Sequence, residues 1–253
     1  MDNAPVSSQP LIVSTMVDMY EGKGHIYDYN CSVGDAARLL GWSHRAALPT
    51  GDWKDRLPEG WNACLAGGDL KLYNRPVGEM HRRLVCGHQL SHSLSAYLKE
   101  QVLPQPSPTV LFLEYVTHPL QLLAFAMALR RVSVERLWVW LLFRYSLSPK
   151  SSRGQTYKLI TRLIERTLPP GHLLLLSDSD LLSRSLAQHF CRPCILCQFP
   201  IWRRCRKNCR RWLSACRRLI GRWSAGGPVF RARRRAGRSC ASWLNAPMTL
   251  RRS

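Results

Sequence analysis

Short runs in which nearly every residue is apolar recur along this chain, and most are followed by a stretch with helical spacing of its apolar positions. Leu11–Val17, Thr109–Val116, Arg136–Tyr145 and His172–Leu176 are such runs. His44–Leu48, ended by Pro49, is a shorter one, and Cys194–Phe199 begins another. A strand that is apolar at consecutive positions is buried on both faces, and a sheet achieves this when helices cover both of its sides. The helices are equally readable. Behind Gly24 the apolar positions Ile26, Tyr29, Val33, Ala36, Ala37 and Leu40 recur at steps of three and four, and Gly41 stops them. Glu79–Val102 carries Leu84, Leu90, Leu94, Tyr97 and Leu98 along one side and is broken by Pro104. Pro119 opens a helix to about Arg130, Gly154–Leu168 forms the next, and the polar cluster Ser177–Asp180 caps a last one through Phe190. Strand and helix in alternation predict an α/β fold with a doubly wound, mostly parallel sheet. No internal repeat interrupts the pattern. The long connection Thr50–Gly78 is expected to act as a lid or to carry small elements of its own.

In such a sheet ligands sit beyond the carboxyl ends of the strands. Glu21–His25, Glu114–His118, Arg144–Leu147 and Ser177–Asp180 then share one rim. Gly22 and Gly24 either let the backbone approach a ligand at the helix N-terminus, which favours an anionic or polar group, or form a tight turn joining strand to helix.

Three rim segments carry a family resemblance: the loop Gly22-Lys23-Gly24-His25, the segment Leu113-Glu114-Tyr115-Val116-Thr117-His118-Pro119, and the strand end Leu175-Leu176-Ser177-Asp178-Ser179-Asp180. Over roughly residues 10–199 the chain resembles the N-terminal domain of GT-B glycosyltransferases, the family-4-like group that builds bacterial polysaccharides and glycolipids. The resemblance implies a Rossmann-like domain at 1–199 that binds a sugar or lipid-linked acceptor, with Gly22, Gly24, His25, Glu114 and Asp178 on the acceptor side. It makes His25 or His118 a candidate base for the acceptor hydroxyl, a role suited to imidazole. For each histidine, capping or a buried hydrogen bond is the alternative. The resemblance further implies transfer from a nucleotide-sugar donor without a resident cofactor or a required metal, the leaving diphosphate being met by basic groups and helix dipoles.

The family continues into a second domain that binds the nucleotide-sugar. Residues 200–253 show no strand–helix alternation, no Gly-rich phosphate loop and no acidic residue. On this basis the chain is expected to be a truncated or frameshifted form without the donor half, and inactive or nearly so. Its net charge of +21 is concentrated there: residues 191–253 carry 17 Lys and Arg and no acid, against 20 Lys and Arg and 16 Asp and Glu before them. The Arg, Cys and Trp clusters of this tail leave three readings open. They are nucleic-acid binding through arginine and stacked tryptophan, an all-cysteine metal site beginning Cys191-x2-Cys194-x2-Cys197, and out-of-frame translation, which the composition favours. A basic run without a core is expected to be disordered. A non-enzymatic α/β protein with a nucleic-acid-binding or Cys-rich metal-binding tail is the alternative function.

No secretory signal opens the chain, its most apolar run, Leu137–Phe143, is far below the ~20 residues of a membrane helix, and Cys31, Cys64 and Cys86 are scattered. A cytoplasmic protein, with peripheral membrane contact at most, is expected. His88-Gln89-Leu90-Ser91-His92 has the histidine spacing of a zinc protease helix, but Gln89 replaces the glutamate base, so that chemistry is not expected.

Overall fold

The computed structural model describes residues 9–19, 24–51, 53, 57–66 and 80–196. Seven strands form one all-parallel sheet: β1 (Leu11–Thr15), β2 (Ser43–Pro49), β3 (Trp61–Leu65), β4 (Thr109–Leu113), β5 (Leu137–Phe143), β6 (Leu173–Ser177) and β7 (Cys194–Leu196). Their order is β3-β2-β1-β4-β5-β6-β7. The helices are α1 (His25–Leu40), α2 (Met80–Tyr97), α3 (Pro119–Leu129), α4 (Ser152–Thr167) and α5 (Asp180–Phe190), and α2 runs on into a π-helical turn, Leu98–Val102. The doubly wound α/β architecture expected from the sequence is the one observed.

The chain reverses its direction of travel across the sheet between β1 and β4, and this reversal sorts the helices. Parallel crossovers are right-handed, so a helix that carries the chain leftward lies on one face and one that carries it rightward lies on the other. Accordingly α1 packs Tyr29, Val33, Ala36 and Ala37 against Ile12, Phe112, Trp140 and Leu142. The opposite face, with Val13, Leu111, Leu141 and Phe143, takes its cover from α2, α3, α4 and α5. Period-two alternation along β1, β4 and β5 divides these residues cleanly between the two cores. A third cluster, Met16, Met19, Ala46, Leu48 and Trp61, seals the β2–β3 edge together with Trp53 and Leu57 from the connection between those strands.

The long connection Thr50–Gly78 carries a small element of its own, as expected: the edge strand β3. Several boundaries differ from the sequence expectation. Pro49 ends β2 from inside the ladder, after a register shift between Leu48 and Pro49; a proline has no N–H to give, and a bulge accommodates that. Strand β4 stops at Leu113, and Glu114–His118 leave the ladder as a rim loop, although the Val116 amide still donates to the Leu142 carbonyl at 3.2 Å. Leu84, expected on the buried side of its helix, is 50 % exposed. The proposed limit between body and tail at residue 199, the basic tail itself and Cys197 lie outside the described residues. Among the described residues no helix is long and apolar enough to cross a membrane.

Helix ends follow local chemistry. Gly41 adopts φ 72° and closes α1, with the Gly41 amide bonded to the Arg38 carbonyl and the Trp42 amide to the Ala37 carbonyl. This is the paired end motif that favours glycine. Helix α5 ends in the same hydrogen-bond pattern, but the left-handed position is filled by Cys191 at φ 54°. A side chain there costs about 1 kcal/mol. Cys191→Gly is therefore expected to raise the stability of the chain by about 1 kcal/mol in a denaturant titration at unchanged slope; an unchanged or lower midpoint would mean the thiol's own contacts, including Lys158 Nζ at 3.8 Å, outweigh the backbone strain.

Candidate functional site at the switch point

The winding reverses between the neighbouring strands β1 and β4, and in a doubly wound sheet the crevice beyond the carboxyl ends of such a pair is where ligands bind. Asp18, from the loop after β1, accepts a hydrogen bond from Thr117 Oγ1 at 3.0 Å across it. Thr117 is fixed in turn by Gln121, whose side-chain oxygen accepts from the Thr117 amide at 2.9 Å, and by Arg153 of α4, which donates to the Thr117 carbonyl at 2.9 Å. Three separate segments thus hold one loop.

Glu114 follows β4 directly at this switch point. It is the first residue past β4 on the α1 side of the sheet and is only 2 % exposed. Burial pushes its carboxyl up to about 8, and the neighbouring Ser14 hydroxyl and the Arg144 guanidinium draw it down only part of the way. Neither carboxyl oxygen has a hydrogen-bond partner of ordinary geometry. A carboxyl so placed is held neutral near pH 7 and can offer a proton as well as accept one.

On the solvent side of Glu114, Arg144 leaves the end of β5 and donates from Nη1 to His25 Nε2 at 2.7 Å. Its guanidinium lies over two aromatic rings, 4.2 Å from the Tyr29 centroid and 5.5 Å from that of Tyr115. Its Nε is buried without a partner. On the interior side, Ser14 Oγ lies 3.1 Å from His44 Nε2. Burial and then Arg38 hold His44 down at about 4, so its ring is neutral. Helix α1 makes room for this ring with Gly34, where a β-carbon would stand 2.9 Å from His44 Nδ1. His44, Ser14, Glu114, Arg144 and His25 therefore step diagonally across four strands and onto α1, from interior to rim.

The residues expected at the site divide as follows. His25 is the first residue of α1, exposed and joined to Arg144. Gly24 is the N-cap of α1 at φ 91° with no side-chain cap, and a β-carbon there would meet nothing within 4 Å, so backbone angle rather than close approach accounts for the glycine. Gly22 lies outside the described residues. His118 takes the alternative role: Nδ1 accepts from the Leu120 amide at 3.1 Å and caps α3. Burial, then Arg83 and Arg153, lower its pKa. Asp178 is exposed beyond β6, on the far side of β5 from Glu114. In its cluster Ser179 caps α5 through the Leu182 amide at 3.2 Å, and Asp180 pairs with Arg184.

Arg144, Tyr29, Ser14 and His44 were not singled out from the sequence. An arginine directly after an all-apolar strand was the available signal for the first; the others became visible only when the strands were ordered. Among the described residues no group of three or more His, Cys, Asp or Glu could hold a metal ion. No family model and no curated protein sequence matches this chain.

The buried carboxyl makes a signed prediction. Below about pH 4.5 Glu114 is protonated in both folded and unfolded chains; between 4.5 and about 8 the unfolded chain alone releases the proton, and stability falls as pH rises. Glu114→Gln is expected to abolish that decline and to be more stable than the parent at pH 8, by on the order of a few kcal/mol. Denaturant midpoints at pH 5, 6.5 and 8 measure this. A parent whose stability is flat over this range, with a destabilised Gln variant, would show Glu114 ionised and paired with Arg144.

Proposed function

We propose that this domain is the acceptor side of a GT-B-like glycosyltransferase, positioning a hydroxyl of a polysaccharide or glycolipid acceptor for transfer of a sugar from a nucleotide-sugar. The cluster at the switch point carries the proposal: a neutral buried carboxyl beneath an aromatic-flanked arginine, beside a helix N-terminus that has no side-chain cap. Arg144 with the first amides of α1 suits the charged or strongly polar group that links such an acceptor to its carrier. His25 is held by Arg144 through Nε2, a bond in which the ring nitrogen accepts. It can orient the acceptor hydroxyl and, once that bond opens, take its proton. Glu114, being neutral, can donate to a sugar oxygen. His118 is left to capping. The acceptor is assigned to these residues and the nucleotide-sugar to none of them.

A second reading draws on the 17 Lys and Arg without any acid in residues 191–253, which suit nucleic-acid binding. The two are separated by titrating the full chain with a short-chain prenyl-diphosphate-linked monosaccharide and with a single-stranded oligonucleotide. On the first reading the glycolipid binds, and Arg144→Ala weakens it by about tenfold or more, the loss of a charge-assisted bond. Binding of the oligonucleotide alone, falling steeply with salt and indifferent to Arg144→Ala, would replace it with the second.

A further inference from the structure

Two histidines on the outer face of α2 have no part in the switch-point site. His88 and His92 are one helical turn apart and both exposed, and their rings face each other with centroids 4.4 Å apart. Their Nε2 atoms, the outermost ring nitrogens, approach to 3.2 Å. Without a third partner this is one N–H···N bond in which either ring donates. The same spacing is also the bite of a chelate. Two imidazole nitrogens each about 2.1 Å from a common ion, at a near-tetrahedral angle, stand roughly 3.4 Å apart.

We propose that His88 and His92 form a bidentate surface site for a divalent transition-metal ion of the imidazole-preferring kind, with water in the remaining positions. Two observations support it. The two nitrogens already stand at nearly the chelate spacing, so little side-chain freedom is lost on binding. Helix α2 contains no aspartate or glutamate, so no carboxylate of its own element neutralises or competes with the rings. Arg131, bonded through Nη1 to Ser91 Oγ at 2.7 Å, brings a positive charge near the pair. The same positive charge opposes a bound cation, and the affinity therefore rests on chelation by both rings. Loss of either ring converts a two-point attachment to a one-point attachment.

The test is calorimetric titration of the full chain with Ni²⁺ at pH 7.5, beside His88→Gln, His92→Gln and His81→Gln. The proposal expects a binding class in the parent that weakens on the order of 10²-fold in each of the first two variants. His81, exposed on the same helix seven residues before His88, is outside the chelate, and its variant should keep that class. Thiol-bound nickel would persist unchanged in all four proteins and so separates itself. Because the rings are exposed, the variants should keep the parent's circular dichroism. As a second readout, Ni²⁺ should raise the denaturation midpoint of the parent but not of the two chelate variants. Equal nickel binding by parent, His88→Gln and His92→Gln, or an equal loss in His81→Gln, would overturn the proposal and leave the pair as a hydrogen bond.

Discussion

Burial of the parallel strands from both sides is the constraint from which the rest of this structure follows. β1, β4 and β5 are apolar at nearly every position because each residue faces one helical layer or the other. Polar chemistry is then confined to where the strands end. Ser14 and Glu114 are instructive because they break this rule at adjacent steps on one face, and both are withdrawn from solvent. A polar group so placed requires compensation. Ser14 finds it in His44, whereas Glu114 finds it largely by keeping its proton.

The reversal of winding converts that constraint into a site. Because the crossovers turn opposite ways on either side of the β1–β4 pair, the helices that follow these strands lie on opposite faces, and the loops that lead to them are joined by the Asp18–Thr117 hydrogen bond. The loop after β4 is fixed by Asp18, Gln121 and Arg153, so the segment that carries Glu114 enters the rim at a set height. Arg144 is oriented differently, by two aromatic faces and a histidine. A guanidinium held by rings rather than carboxylates keeps its charge uncompensated and available to a ligand.

Much of this was legible in the sequence because local periodicity and tertiary burial agree. The apolar spacing from Ile26 to Leu40 and the stop at Gly41 describe α1 as found. Leu84 misled because it resembles its helix neighbours in kind but not in phase: six residues before Leu90, it lies about 120° around the helix. The small element expected in the long connection could not be placed as β3 because that strand is short, with an exposed Asn62 and half-buried Ala63 and Cys64, the profile of an edge. The segments 114–118, 144–147 and 177–180 follow strand ends as expected, yet the contacts among their side chains were not legible, because they join distant residues. His25 and Arg144 are 119 positions apart, and nothing local tells one that the other is its partner. Nor does an isolated Glu114 announce that it is buried; an acid past a strand end is usually wet.

The unequal covering of the sheet bears on motion. Among the described residues, four helices secure one face and α1 alone secures the other, and α1 also supplies His25 and Tyr29 to the rim. A helix anchored on one side by a single layer of contacts can lift or fray at a smaller free-energy cost than global unfolding requires. The four-helix side holds the strand ladder and the Glu114 loop meanwhile. His25 and the carboxyl beneath it thus rest on different supports, the histidine on the end of one helix and the carboxyl on strands clamped from both faces.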